Sequence, residues 1–403
     1  MSTQPGMPAT GSVRPPRIVH VINSLHTGGA ETMLARLVDS ADPSRFEHVV
    51  LPLLEGGPVA KRVRDAGALA APLRVDGAAG ALTAPARLAR RLRRLHPDVV
   101  QGWLLQGNLA ATIGTGLARM PVPVLWNVRW TLYDVESERR TTQALLKVSG
   151  LVARQPSWIV FNSRRSVGQH AAIGYPLDRA RVIPNGYDLL RFRPDPVARA
   201  AVRDELGIPS EATVCGMVAR YHPMKDHAMS LRAAAYVAAR RPEAVFVYAG
   251  RDVDDRNEEM SGQVRALGLA DRVRLLGERD DVGRLFASFD VYWMSSAARG
   301  IAEGFPNVVA EAMASGIPCV ATDIGDAAEI VGTTGRVVPS RDWHAFGAAT
   351  VELLALSADS RMRMGASARA RIAARYSLDA VTASYEALYR EVIDATQLRS
   401  RPR

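Results

Sequence analysis

Short apolar runs alternate with segments of helical periodicity along most of the 403-residue chain. The runs are apolar on both faces, which is typical of strands in a parallel sheet that helices cover on both sides. Seven runs in the first half are predicted strands: 17–25, 46–54, 71–75, 98–104, 123–129, 157–163 and 180–185. The pattern then restarts with six more: 212–220, 243–250, 272–277, 290–296, 317–323 and 335–339. This alternation predicts an α/β protein with two doubly wound, Rossmann-like domains.

The join between the two sets of strands is rich in proline and charge and has no strand pattern. The first 16 residues have four prolines and no apolar core, so we expect a disordered leader rather than a signal peptide. The predicted organisation is a leader at 1–16, a first domain at 17–190, a linker at 191–210, a second domain at 211–376, and a C-terminal helix at 377–403 that packs back toward the first domain. Two such domains facing one another would enclose a cleft at the carboxyl ends of their strands.

Composition narrows the class of protein. Hydrophobic residues make up 47% of the chain and charged residues 23%, as in ordinary globular proteins. No run reaches the roughly 18 apolar residues that a membrane-spanning helix needs. Cys215 and Cys319 lie in apolar runs without metal-ligand spacing, which favours buried, reduced thiols. We therefore expect a cytoplasmic protein.

The net charge of +10 lies entirely in the first half of the chain. Residues 1–190 contain 23 Lys and Arg against 13 Asp and Glu, whereas residues 191–403 contain 28 of each kind. A basic surface can meet nucleic acid, anionic lipid or a phosphorylated substrate, but no basic face interleaved with aromatics indicates nucleic acid. The basic run RLARRLRRLHP (87–97) has leucines at helical spacing. It is either a solvated surface helix or an amphipathic helix that touches a membrane surface.

Two glutamates eight positions apart, Glu303 and Glu311, flank a proline in the stretch EGFPNVVAE. Proline is tolerated at a helix start but not inside a helix, and it disfavours helical conformation in the residue before it. A helix is therefore predicted to begin near Pro306 or Asn307, with Glu303 in the loop before it and Glu311 just over one turn inside. Carboxylates held on two elements beside free helix-start N–H groups suit a polyhydroxylated ligand, because a carboxylate can accept hydrogen bonds from vicinal hydroxyls.

This stretch resembles the E-x7-E motif of the retaining glycosyltransferases of family 4, which have the GT-B fold of two facing Rossmann-like domains with a cleft between them. The resemblance implies that Glu303 contacts hydroxyls of the transferred sugar and that Glu311 holds the ribose hydroxyls of the nucleotide. It also implies that the donor sugar and diphosphate lie against the helix start, which is formed by Gly304, Phe305, Pro306 and Asn307. Pro306 itself has no N–H to donate.

A second segment, residues 216–234, is a predicted strand ending in Arg220, then a turn, then a helix opened by Lys225, one of only three lysines beside 48 arginines. It resembles the family's G-R-x-x-x-x-K-G segment, whose Arg and Lys neutralise the donor diphosphate. Fixed cations there would stabilise the charge that builds on the departing nucleoside diphosphate. The resemblance thus implies that Arg220 and Lys225 are catalytic, together with the sugar-contacting glutamate. The sequence departs from the family pattern at Ala219 and at Asp226, where glycine is usual.

In the first half, Gly28 and Gly29 follow the first strand and open a predicted helix. The segment lacks the G-x-G-x-x-G fingerprint, so NAD is disfavoured, but a Gly-Gly turn at a helix start lets backbone N–H groups approach a phosphate. It is similar to the family's G-G-x-E segment, which implies contact with the donor. Residues 162–192 resemble the family's passage N-S…V-I-P-N-G-x-D…F across the domain join, where the N-G-x-D residues favour a structural turn.

The acceptor side matches the family less well. Many members have a histidine at the end of a middle strand of the first domain, and this chain has none at the corresponding strand ends, 101–108 and 126–134. Polar and aromatic residues there are the predicted acceptor contacts: Arg129, Asn127 and Trp103, with Gln101 and Asn108 as further candidates. Arg129 either contacts an anionic acceptor or assists the leaving group, or else it forms a buried structural ion pair.

Three alternatives stay open. Asp252 and Asp254 have the Asp-x-Asp spacing of metal-dependent glycosyltransferases, although such acidic clusters are common in loops and a whole Rossmann-like domain precedes them. A nucleotide-sugar epimerase would share the two-domain plan and release its sugar without an acceptor. A non-enzymatic basic module would dock on nucleic acid or on a membrane.

The sequence and its resemblance together predict a retaining hexosyltransferase that needs no metal and no cofactor beyond its nucleoside-diphosphate sugar. The basic first domain favours a lipid-linked saccharide acceptor, as in polysaccharide or glycolipid assembly. A soluble sugar or sugar-phosphate acceptor fits the same charges. The enzyme would be cytoplasmic, and peripheral at the inner membrane face when its acceptor is lipid-linked.

Overall fold

The computed structural model describes residues 14–75, 77–298 and 301–400, so most of the predicted leader lies outside the described residues. Within these residues the strands form two six-stranded sheets and one two-stranded sheet. The strands are β1 (Arg17–Ile22), β2 (Glu47–Pro52), β3 (Val99–Trp103), β4 (Val124–Val128), β5 (Trp130–Leu132), β6 (Trp158–Phe161), β7 (Ala180–Val182), β8 (Thr213–Val218), β9 (Ala244–Ala249), β10 (Val273–Leu275), β11 (Val291–Met294), β12 (Ile301–Glu303), β13 (Cys319–Thr322) and β14 (Arg336–Val338).

Helices separate nearly all of these strands along the chain. They are α1 (Gly29–Ser40), α2 (Val59–Asp65), α3 (Gly77–Leu95), α4 (Leu104–Ala118), α5 (Arg140–Val152), α6 (Arg164–Ala171), α7 (Pro196–Glu205), α8 (His227–Ala238), α9 (Glu258–Ala266), α10 (Val282–Ala287), α11 (Asn307–Ala314), α12 (Ala327–Val331), α13 (Trp343–Ala355), α14 (Ala358–Tyr376) and α15 (Leu378–Ser400). The predicted α/β alternation is confirmed.

The second large sheet has the strand order β10-β9-β8-β11-β13-β14. Its neighbouring strands pair in parallel throughout. Numbered from β8, this is the order 3-2-1-4-5-6 of a Rossmann-type sheet, in which the connections reverse direction between the first and fourth strands. Ligands of open α/β sheets bind at such a switch point, beyond the carboxyl ends of the strands. The site is therefore expected where the chain leaves β8 and β11.

The first large sheet has the order β2-β1-β3-β4-β6-β7, and β1 pairs in parallel with both β2 and β3. The prediction of a strand at 71–75 is wrong. The backbone N–H groups of Leu73 and Val75 donate to carbonyls at the end of β2, Pro52 and Leu53, but no strand forms. Pro72 directly precedes Leu73 and has no N–H to contribute to a ladder.

Two short strands that the sequence analysis missed form the third sheet. β5 and β12 are each three residues long and pair antiparallel, with Glu303 opposite Trp130 and Ile301 opposite Leu132. Glu303 was expected in a loop, and that expectation is wrong, since the residue ends β12. The pairing joins segments about 170 positions apart, so no local sequence pattern predicts it.

Contacts between Cα atoms divide the chain into two compact units: the described residues up to Leu125 together with those from Leu388 onward, and Trp126–Ala387. In the second large sheet, alternate residues of β11 pack in different hydrophobic clusters. Tyr292 and Met294 pack in one cluster, and Val291 and Trp293 in the other. Both faces of that sheet are thus buried, as the uninterrupted apolar runs predicted.

The apolar side of α3 packs into the core of the first unit. Leu88 is 2% exposed and Leu92 is fully buried, beside Val19 and Val100 of the sheet. These leucines are the helical stripe that suggested an amphipathic membrane helix. Because the core already covers these leucines, they are not available to a membrane, and the exposed side chains of residues 87–95 are arginines.

In the part of the chain that the structure describes, no helix combines the length and the hydropathy needed to cross a membrane.

Two further segments have defined places in the units. Residues 191–210 contain α7, whose Arg203 donates to Asp290 at 2.7 Å and to the backbone of Ser288. In the first unit, the hydroxyl of Tyr389 on α15 donates to Gln101 Oε1 on β3 at 2.6 Å.

Candidate active site

Pro306 determines where α11 begins. It is the N-cap residue, with φ −73° and ψ 94°, and Asn307 is the first helical residue. This confirms the predicted helix start. Glu311 is the fifth residue of the helix and is only 9% exposed. The two glutamates therefore belong to different elements, Glu303 to β12 and Glu311 to α11.

The chain between these two elements is tightly enclosed. The carbonyl of Gly304 accepts a hydrogen bond from the backbone N–H of Asp326 at 3.0 Å. A Cβ on Gly304 would lie 2.7 Å from Asn162 Oδ1 and 3.4 Å from Ser163 Cβ. Only glycine fits there without displacing a neighbour, because real Cβ atoms do not approach other atoms below about 3 Å. Phe305 is buried and its ring stacks on that of Tyr187, with centroids 6.1 Å apart and an interplanar angle of 24°.

The second part of the site follows β8. Arg220 comes two residues after the strand and its side chain is exposed, with no hydrogen-bond or ionic partner among the described residues. Lys225 ends a short 3-10 helix, Pro223–Lys225, and is 8% exposed. The sequence analysis expected Lys225 to open α8, but α8 begins two residues later, at His227.

Asp226, the residue where the family usually has glycine, has φ +49° and ψ 54°. This is the left-handed region, which glycine adopts without cost and which aspartate and asparagine tolerate better than other residues. Its carboxylate accepts a hydrogen bond from the N–H of Met229 at 3.1 Å and so caps α8. The departure from the family pattern therefore exchanges glycine's conformational freedom for a side-chain cap.

Two hydrogen bonds join the loop after β8 to the loop after β11. Ser295 Oγ donates to the carbonyl of Lys225 at 2.7 Å, and the N–H of Ala297 donates to the carbonyl of Met224 at 2.7 Å. Ser295 is fully buried. The cationic residues that follow β8 and the chain that leads from β11 toward α11 are thus held together at the switch point of the second sheet.

The amide of Asn307 is the end of a buried polar network. Its Oδ1 accepts two hydrogen bonds, from Asn185 Nδ2 at 2.6 Å and from the hydroxyl of Tyr187 at 2.6 Å. Asn185 Oδ1 in turn accepts from the guanidinium of Arg129. Asn185 is 2% exposed and Tyr187 fully buried. The sequence analysis treated Asn185 as a turn residue only, and no local signal could have shown its partner 122 positions away.

Arg129, the leading candidate for the acceptor side, lies just after β4 and is 8% exposed. Its Nε donates to Asn127 Oδ1 at 2.7 Å, and its terminal nitrogens donate to Asn185 Oδ1 and to the hydroxyl of Tyr385. Asn127 Nδ2 also donates to that hydroxyl, at 3.0 Å. Arg129 thus belongs to the buried network of Asn307. Its role toward an acceptor stays a prediction.

The candidates in the first unit lie at the switch point of the first sheet, between β1 and β3. Gly28, with φ −162°, is the N-cap of α1 and Gly29 its first residue, as predicted. Trp103 ends β3 and is fully buried, with its indole N–H donating to His20 Nδ1 at 3.0 Å. Its acceptor-side role likewise stays a prediction.

Buried histidines lie on other elements than the strand end where the family has one, namely His20 on β1, His48 on β2 and His227 at the start of α8. In the first unit, His20 and His48 stack, with Nε2 and Nδ1 2.8 Å apart. Burial lowers the pKa of His48 to about 4, and burial followed by the neighbouring His48 lowers the pKa of His20 well below its usual value. In the second unit, burial and then Lys225 lower the pKa of His227 to about 4. These rings are neutral at physiological pH.

The Asp-x-Asp pair does not form a cluster. Asp254 is bound by Arg256, whose Nη2 lies 2.6 Å from Asp254 Oδ2, and this pairing lowers the pKa of Asp254. Asp252 has φ +61°, and its carbonyl accepts from Asn257. Across residues 14–75, 77–298 and 301–400, no three His, Cys, Asp or Glu side chains lie close enough to hold a metal ion.

The fold and the site together define a class: an α/β protein with two parallel sheets, in which cations and a helix start meet at the switch point of the second sheet. Comparison with known proteins identifies the family. A model described as Glycosyltransferase Family 4 matches residues 27–191, and one described as Glycosyl transferases group 1 matches residues 212–356.

Individual relatives agree with the family models. The putative glycosyltransferase EpsF of Bacillus subtilis (strain 168) is 26% identical over 319 residues, 76% of this chain and 79% of EpsF. The D-inositol 3-phosphate glycosyltransferase of Corynebacterium urealyticum is 30% identical over 291 residues, 66% of this chain and 67% of that protein. The crystal structure of HepE from Anabaena in complex with UDP and glucose has a TM-score of 0.79 at 22% identity, over 93% of this chain and 100% of HepE.

The chain belongs to the family 4 glycosyltransferases of group 1 type, and it is an enzyme that transfers a glycosyl group. The predicted family, the GT-B fold class and the enzyme class are confirmed. The roles of the individual site residues stay predictions, and the structure shows where each of them lies.

Proposed function

We propose that the protein is a retaining, metal-independent glycosyltransferase that takes a hexosyl unit from a nucleoside-diphosphate sugar. The donor would lie at the switch point of the second sheet, with its diphosphate against Arg220 and Lys225 and its ribose against Glu311. The observation that carries this proposal is the pair of hydrogen bonds from Ser295 and Ala297 to the loop after β8. They hold the cationic loop and the approach to α11 at one sheet edge, where such sheets bind nucleotides.

The proposed chemistry is electrostatic. As the bond between the sugar and the diphosphate breaks, negative charge builds on the departing phosphate. The guanidinium of Arg220 and the ammonium of Lys225 would stabilise this charge, as fixed cations do in a site preorganised for the transition state. Glu303 would accept hydrogen bonds from sugar hydroxyls. The helix start at Gly28 and Gly29 would offer N–H groups to the donor phosphates or the reacting sugar.

Metal independence follows from this assignment, because two protein cations would neutralise the charge on the diphosphate that Mg²⁺ neutralises in other transferases. Turnover of the purified enzyme should persist in excess EDTA and should not rise on addition of Mg²⁺ or Mn²⁺. Retention is tested by the anomeric configuration of the first product, followed by proton NMR during the reaction. Loss of turnover in EDTA, restored by Mg²⁺, would contradict the assignment.

For the acceptor we propose a lipid-linked saccharide at an anionic membrane surface. The support is a groove of about 440 Å³ in the first unit, which is lined by Ala71, Pro72, Leu73, Arg74, Arg87, Arg90, Arg91 and Arg94. Arg90, Arg91 and Arg94 have no hydrogen-bond or ionic partner among the described residues. One guanidinium group can donate two parallel hydrogen bonds to two oxygens of a phosphate, so such a groove suits phosphorylated headgroups. The enzyme would then be cytoplasmic and would associate peripherally with the inner membrane face.

A second candidate acceptor is a soluble phosphorylated polyol. What favours it is the relative named D-inositol 3-phosphate glycosyltransferase, which is 30% identical over two thirds of its length. The two acceptors are distinguished by incubating the enzyme and a labelled donor with either a membrane lipid extract or inositol phosphate. Label that moves into the organic phase supports the lipid-linked acceptor, and label in a new anionic soluble product supports the polyol.

The donor is tested by thermal unfolding in the presence of UDP-, GDP- and ADP-sugars. A ligand at 100 times its Kd stabilises the native state by about 2.7 kcal/mol, so a bound donor raises the unfolding temperature by several degrees. HepE was crystallised with UDP and glucose, which makes UDP-glucose the first donor to test. Failure of every nucleotide sugar to shift the transition would overturn the proposal. An epimerase would instead release a changed free sugar without any acceptor.

A further inference from the structure

The buried network behind α11 has a fixed hydrogen-bond direction. A guanidinium group can only donate hydrogen bonds, so Arg129 determines which side of the Asn185 amide faces it. Asn185 presents Oδ1 to Arg129 and therefore presents Nδ2 to Asn307. Asn307 must then present Oδ1 to Asn185. The orientation of each amide follows from the arginine at the start of the chain of bonds.

Tyr187 reinforces the same orientation at Asn307. Its hydroxyl donates to Asn307 Oδ1 at 2.6 Å, so this oxygen accepts two hydrogen bonds and both of its lone pairs are used. The Nδ2 group of Asn307 makes no hydrogen bond to any of the described residues. Asn307 is partly exposed, unlike the buried Asn185 and Tyr187. A donor group is therefore held, with its orientation set from behind, at the first residue of α11.

We propose that Arg129 is a positioning residue: through Asn185 it fixes the amide of Asn307 so that Nδ2 donates a hydrogen bond to an oxygen of the bound nucleotide sugar. The inference rests on the proposed donor site at the start of α11. It replaces direct acceptor contact by Arg129 with an action through two amides. It also explains why an arginine is buried among neutral partners that can accept from it, namely Asn127, Asn185 and Tyr385.

The opposite orientation of the Asn307 amide would weaken the binding of an anionic ligand. If the amide turned over, Oδ1 would face the diphosphate oxygens, and two acceptors cannot share a hydrogen bond. One hydrogen bond to a charged group contributes about 1.5–3 kcal/mol, which corresponds to roughly 10- to 150-fold in an equilibrium or rate constant. The network thus holds the Asn307 amide in one of two nearly isosteric orientations.

The decisive variant is Asn185→Asp. A carboxylate at this position still accepts from Arg129 but cannot donate to Asn307. The Asn307 amide would then turn, donate Nδ2 to the carboxylate and present Oδ1 to the donor. We expect kcat/KM for the nucleotide sugar to fall at least tenfold. We expect the unfolding temperature to stay at or above that of the wild type, because Arg129 gains an ionised partner.

The matched control is Tyr385→Phe. It removes the hydrogen-bond partner of Arg129 Nη2, whereas Asn185 is bound by Nη1, so the direction of the network toward Asn307 is kept. We expect a lower unfolding temperature with kcat/KM for the donor within twofold of the wild type. A purely structural role for Arg129 predicts the reverse pattern, in which each variant changes activity only in proportion to its loss of stability.

A second pair of variants covers the case in which the carboxylate prevents folding. Arg129→Met removes the donor that orients Asn185, and Arg129→Lys restores one donor at the same position. We expect kcat/KM for the donor to fall at least tenfold with methionine and to recover in part with lysine. Equal kcat/KM in wild type, Asn185→Asp and Arg129→Met would overturn the inference. If the wild type itself neither binds nor uses any nucleotide sugar, the proposed function fails instead.

Discussion

The carboxylate of Asp226 accepts a hydrogen bond from the N–H of Met229 although Asp226 itself has φ +49°. One residue thus combines a favourable cap with an unfavourable backbone conformation, directly after Lys225. Glycine removes both effects, whereas alanine removes the cap and keeps the conformational cost. The two substitutions therefore separate the contributions.

We expect Asp226→Ala to lower the free energy of unfolding by about 1 kcal/mol, the contribution of the cap, because alanine keeps the left-handed conformation. Asp226→Gly should lower it by less, because glycine adopts this conformation without cost and so offsets the lost cap. The control is Asp195→Ala, which removes the cap of α7 at a residue with φ −141° and should cost about 1 kcal/mol. Equal losses for alanine and glycine at 226, measured by urea denaturation, would contradict this account.

Glu311 is predicted to act on the donor rather than on the chemical step. An ionised carboxylate that accepts from two ribose hydroxyls contributes about 1.5–3 kcal/mol for each bond. Glu311→Ala should therefore raise the KM for the nucleotide sugar at least tenfold while kcat changes less, because the ribose contact is made equally in the ground and transition states. Glu352→Ala, an exposed glutamate on α13, serves as the control and should leave both constants unchanged. An unchanged KM in the Glu311 variant would remove the ribose assignment.

Arg220 and Lys225 are predicted to act mainly in the transition state. Removing one preorganised group that stabilises developing charge costs about 100-fold in kcat. Arg220→Ala and Lys225→Ala should each show such a loss, with a smaller change in donor KM. Arg232→Ala changes an exposed arginine on α8 and should behave as the wild type. Steady-state kinetics at saturating donor make the comparison, and full turnover in both site variants would end the assignment.

The arginine groove is predicted to dock on anionic lipid. Replacing Arg90, Arg91 and Arg94 by glutamine removes three charges from α3, each of which contributes about 1 kcal/mol near an anionic surface. Binding to phosphatidylglycerol vesicles should then weaken about 100-fold in a sedimentation assay. The control has the same net charge but changes exposed arginines elsewhere: Arg139, Arg140 and Arg154. Equal weakening by both triple variants would show that net charge, not the groove, determines binding.

The features that could be predicted from the sequence are those that neighbouring residues determine. Pro306 predicted the start of α11 because a proline restricts its own backbone and that of its neighbour, whatever the rest of the chain does. The parallel sheets followed in the same way from runs that are apolar on both faces. Gly28 and Gly29 opened α1 as expected.

What the sequence could not give depends on partners that are distant along the chain. The strands β5 and β12 are too short to show a pattern and form only by pairing with each other. Asn185 gains its role from Arg129 and Asn307, which lie 56 and 122 positions away. The leucines of α3 show a further limit. Periodicity identifies an apolar face, but only the structure shows that the protein core, and not a membrane, covers it.

Acid should destabilise the protein through its buried histidines. Burial lowers the pKa of His48, His170 and His227 to about 4, and that of His20 well below 6.5. As pH falls, the unfolded chain takes up protons near 6.5 before the native state does. The stability that these neutral histidines contribute is therefore fully present above about pH 7. It is lost between about pH 6.5 and 4, at up to about 1.4 kcal/mol per pH unit for each histidine. Urea denaturation across this range should show the loss, and His48→Gln should reduce its slope. A free energy of unfolding that stays constant from pH 7 to 5 would contradict the prediction.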